Sequence, residues 1–508
     1  MASLTPLILT PLFTALLVLL VPGNYRVVVR ALAVVGSGLT AWLAVLAFFG
    51  FHPGQEGLQF ESTVPWIHVG TLELAYHVGA DGLNIGLLLV TGLVGFASVL
   101  ASWNIERNPK LFYVLLLLVI AGALGAFASH DLLFFYFFNE LALVPTFIMI
   151  GVWGRGEDKT YQAFRITLYL TLGALAALAG LIALHVATGA KTFDVLALKA
   201  ALAANPLSPT SQIWIFALLL FGFGTLVGLF PFHSWAPGGY AAAPTATAMM
   251  HAGILKKAGL YAILRVALPL LPEGAATWLP VLAWLCVGNL LHCGFVALRQ
   301  KDLNLLIGNS SLAHMGFAFL GIASLTVIGV TGTVIVMVAH ALLAALSFAL
   351  SGYLESQTGT VDMTRLGGLL KRMPVFGTML VMAFMAGCGL PGFANFAGEA
   401  TVLFGSWKSL PWVVLAAAWS GLILGGVYML RALRAVLYGE ERPELAKVED
   451  TGWWRRLPLA LLVGALLLFG VAPGILSTRI EPVAREIVKS ATRPPATTAA
   501  EPVAALSH

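Results

Sequence analysis

Charge is scarce in this chain of 508 residues. Lys, Arg, Asp and Glu together make up 10% of it, against 59% hydrophobic residues. A soluble globular domain carries about 25% charged residues, so a water-facing surface of ordinary polarity is excluded. Cysteine is rarer still. Cys286, Cys293 and Cys388 each lie in an apolar run without metal-ligand spacing, which argues against a disulfide framework or a Cys-ligated metal or iron–sulfur cluster. No Gly-rich phosphate loop of the Walker type occurs, and no long polar segment is present to hold a redox cofactor. The net charge of +5 is scattered through short loops and does not point to nucleic acid.

Apolar runs of about 18 residues or more recur from end to end, the pattern of membrane-spanning helices. The fold class is therefore an all-α polytopic membrane protein. Fourteen spans are expected: 4–21, 27–51, 82–103, 111–129, 131–153, 160–187, 211–235, 243–272, 276–298, 302–324, 327–354, 373–407, 410–437 and 457–478. The first run has no basic segment ahead of it and another span soon after it, so it reads as a retained helix and not as a signal peptide.

The loops sort by charge. One alternate set holds Arg26 and Arg30; Arg107 and Lys110; Arg155, Lys159 and Arg165; Arg299 and Lys301; Arg365, Lys371 and Arg372; and the group from Arg431 to Arg456. The positive-inside rule puts this set in the cytoplasm of a cell (inner) membrane protein and both termini on the outer face. The basic tail with Arg479, Arg485, Lys489 and Arg493 runs against that rule. Residues 481–508 are expected to be disordered. The segment from Gly54 to Ala80 alternates polar and apolar residues between glycines, which predicts an outer-face β-hairpin.

Two hydrophobic spans carry Gly and Pro at their middles, in residues 222–232 and 386–393. Proline removes a backbone donor and clashes with the preceding turn, so both helices are expected to break there. Matching breaks in two halves are the sequence pointer to a transport site near the midplane. They divide the chain into N-terminal helices 1–110, five-helix repeats at 111–272 and 276–437 of opposite topology, and a C-terminal helix at 438–480.

Four charges sit inside apolar stretches: Glu140, Lys256, Lys257 and Glu399. Each costs at least ~2.5–3.5 kcal/mol at bilayer depth, and such residues face the bundle interior and mark ion or proton paths. Lys256 and Lys257 are adjacent, so on a regular helix they point about 100° apart. His251, His314 and His340 also fall in apolar runs, where imidazole can accept and donate in a relay. Ser310 and Ser311 beside His314 would support a hydrated wire. His233 and His292 read as structural.

The stretches Phe230–Pro237, Ala243–Thr245, Ala252–Gly259, Asp131–Glu140, Ser310–Gly316 and Gly389–Glu399 together resemble the signature of the antiporter-like subunits of respiratory complex I, NADH:quinone oxidoreductase, of the subunit M or chain 4 type. The resemblance covers nearly the whole chain. It implies a proton-translocating subunit with no redox group of its own, its enzymatic label coming from the complex. NADH, flavin, iron–sulfur clusters and quinone belong to partner subunits. Neighbouring L-like and N-like membrane subunits, the lipid bilayer and protons are the implied partners. Glu140 matches the fifth-helix glutamate, Lys257 the central lysine of the eighth helix, and Glu399 the charge at the broken twelfth helix. His314 and His340 match the central polar axis. The family's lysine on the seventh helix is missing, with Leu226 in its place, and Lys256 is extra. The expectation that follows is that Lys256 pairs with Glu140 instead. A multisubunit cation/proton antiporter or membrane-bound hydrogenase shares the fold and is the first rival. A stand-alone transporter with a ligand-sized cavity is the second.

Overall fold

The structure is a computed structural model and describes residues 2–55, 57–69 and 72–492. Among these, fourteen helical passes run through one bundle. Ten contain a helix of 18 residues or more that is apolar enough to cross a membrane: Arg26–Gly50, Pro109–Ala128, Leu132–Trp153, Lys159–Thr188, Pro209–Val227, Pro272–Arg299, Leu303–Ala323, Val327–Thr358, Pro411–Leu437 and Trp453–Val471. Two further passes are the shorter helices Thr5–Leu20 and Ile85–Ala101. The eighth pass, 245–270, alternates α and π winding. The twelfth is split into Pro374–Gly387 and Ala394–Ser406.

Polar side chains set where several passes begin. Asp131 accepts from the backbone N–H groups of Leu133 and Phe134 and starts the fifth pass. Asp302 does the same for the tenth and Thr326 for the eleventh. Each satisfies donors that a helix start leaves free.

The predicted hairpin is present. Strand β1 (Gln59–Val69) pairs antiparallel with β2 (Leu72–Ala80), and it caps one end of the bundle. The backbone N–H of Leu4 donates to Phe60 O, so the first pass starts at this end. Here too lies the C-terminal helix Gly474–Ala491, whose Glu486 pairs with Lys199. The first helix's start and the helix Gly474–Ala491 thus share the hairpin face.

One expectation is corrected here. The segment taken as a disordered tail from residue 481 is helical as far as Ala491. Its buried Leu476, Ile480, Ala484, Ile487 and Ala491 form one apolar stripe, and the charged residues lie on the other side. That one-sided pattern is a surface helix, not a disordered composition. Residues 493–508 lie outside the described residues. Between the sixth and seventh passes a short helix, Val195–Ala204, also lies on the hairpin face.

The fourth pass of each five-helix set is the broken one. At the first break, Val227 gives way to Gly228 with φ +88°, a left-handed conformation that favours glycine. Asn289 of the ninth pass closes the gap. It accepts from Phe230 N at 2.8 Å and donates to Gly228 O at 2.8 Å. Backbone freed within an apolar bundle must find such partners. The second break runs through Gly389 (φ +68°), Pro391 and Gly392 (φ +100°). Its second half packs tightly on the eleventh pass, because a Cβ at Gly398 would lie 2.8 Å from Val336 N. Small residues are what allow helices to approach so closely, and the approach brings Glu399 next to the bundle core.

Candidate functional site

The eighth pass carries both lysines between two π turns, His251–Leu255 and Ile263–Ala267. Single π turns inside α-helices often mark functional sites. Both side chains are fully buried. As their adjacency requires, they leave the helix in different directions. The Lys257 ammonium donates to Ala252 O at 2.7 Å and contacts His340 Nδ1 at 2.9 Å, on the eleventh pass. The Lys256 ammonium donates to the carbonyl of Ser311 at 3.1 Å and also to the Ser311 hydroxyl, on the tenth pass. It lies 5.8 Å from the centre of the Tyr240 ring, within cation–π range.

From Lys257 the polar line continues. The rings of His340 and His314 are centred 5.5 Å apart. His314 Nδ1 meets Glu399 Oε1 at 2.7 Å, a buried pair. The sequence-predicted Lys257, His340, His314 and Glu399 therefore stand in one file across four passes. Glu399 also borders a cavity of about 800 Å³ whose walls are mostly apolar, with Phe404 and Trp407 among them.

Glu140 stands apart. It is half-buried, and its Oε1 is enclosed without a hydrogen-bond partner. The expected Lys256–Glu140 pair does not form, because Lys256 is committed to Ser311. Leu226 fills the place of the missing lysine, lining a small void with Tyr136, Asn139 and Leu143. His251 is buried but off the file. Neither of its ring nitrogens has a partner, and it packs against Trp235 and Tyr240 with ring centres 5.5 Å away in each case. His233 and His292 lie with ring centres 5.2 Å apart, near Phe230 of the first break.

A second buried polar cluster lies toward the hairpin, and the sequence reading passed over it. Arg265, near the end of the eighth pass, binds Asp81 through two hydrogen bonds of 2.5 and 2.7 Å. The Arg265 charge, together with backbone N–H donors, holds the Asp81 carboxyl below its ordinary range against the opposing effect of burial. His77 on β2 meets Asp194 at 2.5 Å and Glu61 at 2.9 Å. Its bond to Asp194 raises its pKa. The buried His130 imidazole lies 5.5 Å from His77, centre to centre. Burial pushes it down to about 3, so it is neutral. The signal for this cluster was in the sequence, since Arg265 falls inside the expected span 243–272.

The broken passes, and the line of bases and acids between them, have the frame of an antiporter-like membrane subunit. The chain belongs to the NADH:quinone oxidoreductase/Mrp antiporter transmembrane family, whose pattern matches residues 129–425. It is 32% identical over 502 residues to NAD(P)H-quinone oxidoreductase chain 4-1 of Synechocystis, covering 96% of this chain and 94% of that one. The chloroplastic chain 4 of Chlorokybus atmophyticus is 32% identical over 481 residues, 92% of each chain. Among solved structures, a chain of respiratory complex I from Thermus thermophilus superimposes with a TM-score of 0.87 at 31% identity, over 97% of this chain and 100% of that one. A chain of the Mrp complex from Dietzia shares the fold, with a TM-score of 0.82 at 19% identity over 96% of this chain and 99% of the other.

Proposed function

We propose that this chain is a non-redox, proton-translocating subunit of an NADH:quinone oxidoreductase, and that Lys257, His340, His314 and Glu399 carry the proton. The observation that supports this most is the file itself, 2.9 Å from Lys257 to His340 and 2.7 Å from His314 to Glu399, with the two imidazole rings centred 5.5 Å apart between them. Each member can hold or release a proton, and each imidazole can take one on one nitrogen while giving one from the other. Redox chemistry in partner subunits, with NADH, flavin, iron–sulfur clusters and quinone, supplies the driving force. Lys257 transfers its proton to His340, the proton passes to His314, and Glu399 receives it at the edge of the bundle.

Glu140 acts as the charge that biases Lys257. With no lysine at residue 226 and Lys256 turned away, it does so across a longer gap than a direct Glu–Lys pair would give. The mostly apolar cavity beside Glu399 suits a helix of a neighbouring L-like membrane subunit better than a polar solute, which weighs against a stand-alone transporter. The basic loops face the cytoplasm in this reading, and the hairpin and both termini face outward. The identity of 31% to the complex I chain, against 19% to the Mrp chain, favours the oxidoreductase over a cation/proton antiporter. The test is Lys257→Ala in the assembled complex. Electron transfer should persist while pumped protons per electron fall. Unchanged pumping removes the relay.

A further inference from the structure

The eighth pass carries a second polar line that the relay does not use. Lys257, Tyr261 and Arg265 recur at four-residue spacing and so stack on one side of the pass. From Lys257 to Arg265 the axial rise is about 12 Å. Arg265 Nε donates to the Tyr261 hydroxyl at 3.2 Å, and the guanidinium grips Asp81 with two further bonds. Asp81 is itself fixed from behind, accepting from Leu83 N at 2.9 Å and giving its own N–H to Asn84 Oδ1 at 2.9 Å. On the far side of this pair lies a cavity of about 610 Å³ at the hairpin face. Asp81, Arg265, Lys199, Arg479 and Glu486 line it, which makes its walls far more charged than those beside Glu399. The ion pair is thus the partition between Lys257, in the centre of the bundle, and a polar vestibule.

We propose that Asp81 and Arg265 form a gate that closes a second proton route from Lys257, past Tyr261, to the hairpin-side vestibule. Arginine does not release its proton in proteins, so Arg265 cannot be a relay member. Its fixed positive charge stands in the narrow path and repels a proton arriving from either side, as a single arginine can in a selective pore. The carboxylate of Asp81 holds that charge in position. When the pair separates, Asp81 can accept the proton that Lys257 gives up, by way of the Tyr261 hydroxyl, and then release it to vestibule water. One proton leaves the lysine and one appears at the hairpin face. In the observed state the Lys257 ammonium is turned the other way, toward Ala252 O and His340, and the gate is shut.

This inference rests on Lys257 being a proton carrier, and the experiment keeps the two apart. The assembled complex in sealed liposomes is assayed for proton leak without turnover, and for protons pumped per electron. Arg265→Gln should raise the leak at least fivefold. Adding Lys257→Ala, or Tyr261→Phe, to that variant should return the leak to near the wild-type rate. An assembled Arg265→Gln complex with wild-type leak overturns the gate, and so does a leak that persists without Lys257. Should Arg265→Gln fail to assemble, Tyr261→Phe alone decides. It removes one hydroxyl, and it should lower pumping per electron by half or more. Unchanged pumping overturns the proposal. If Lys257→Ala alone pumps normally, the relay itself has failed, whatever Arg265 does.

Discussion

The two sides of Lys257 are built by different rules. Toward Glu399 the polar groups follow one another closely: Lys257 meets His340, the His340 and His314 rings are centred 5.5 Å apart, and His314 meets Glu399. Toward Glu140 no lysine bridges the gap, since Leu226 lines a small void with Tyr136 and Asn139, and the glutamate ends with an enclosed oxygen that has no partner among the described residues. One side can pass a proton by short steps. The other can act only through space, as a charge felt across a low-dielectric gap. The lesson is that burying a charge does not by itself place it in a wire. Lys256 and Lys257 make the same point one residue apart, since both are buried and only one reaches the file.

The comparison can be broken most directly at its centre. Lys257→Ala should reduce pumped protons per electron at least tenfold while leaving electron transfer in place, measured with a pH dye in liposomes. His340→Leu should come next, with a several-fold loss, because it removes the single contact that joins Lys257 to the file. Ser311→Ala tests the other lysine by stability. It removes a hydroxyl acceptor from a buried ammonium, which should cost about 1–3 kcal/mol in thermal or denaturant unfolding, with pumping in the surviving complex unchanged. Lys256→Met should change pumping by less than twofold. A loss comparable to that of Lys257→Ala would mean that both lysines carry protons.

The smallest effect belongs to the hairpin. His77 has a raised pKa because of its bond to Asp194, so the imidazolium is stabilised by folding. Its contribution is fully present below the ordinary imidazole value of about 6.5 and is lost as pH rises through the raised value. Hydrogen exchange of the β2 amides from Tyr76 to Ala80, corrected for intrinsic rates, should therefore quicken on the alkaline side in the wild type. The His77→Gln variant should lack that pH step.

Much of this architecture is legible in the sequence. The passes are legible because apolar runs long enough to cross a bilayer have few other uses. The breaks are legible because Gly and Pro in mid-span have a direct backbone consequence. Glu399, His314, His340 and Lys257 stood out as polar groups in apolar runs. Which of them touch did not follow, because contact depends on helix rotation. Two π turns around Lys256 and Lys257 shift that rotation, and no residue pattern announced them. The reassignment of Lys256 to Glu140 failed for this reason, since Ser311 on another pass holds it. Arg265 was missed because it sits near the end of a long apolar span. The helix Gly474–Ala491 was missed because its apolar stripe is diluted by Arg, Glu and Lys on the other side.

At the second break, backbone and carboxylate are one object. A Cβ added to Gly389 would stand 3.0 Å from Glu399 Oε2, and φ there is +68°. The bare turn is the back wall against which the glutamate rests, and the other oxygen of that same carboxylate meets His314. The loop therefore works as a mounting plate. Any displacement of Gly389 is delivered, without an intervening side chain, to the last acid of the file.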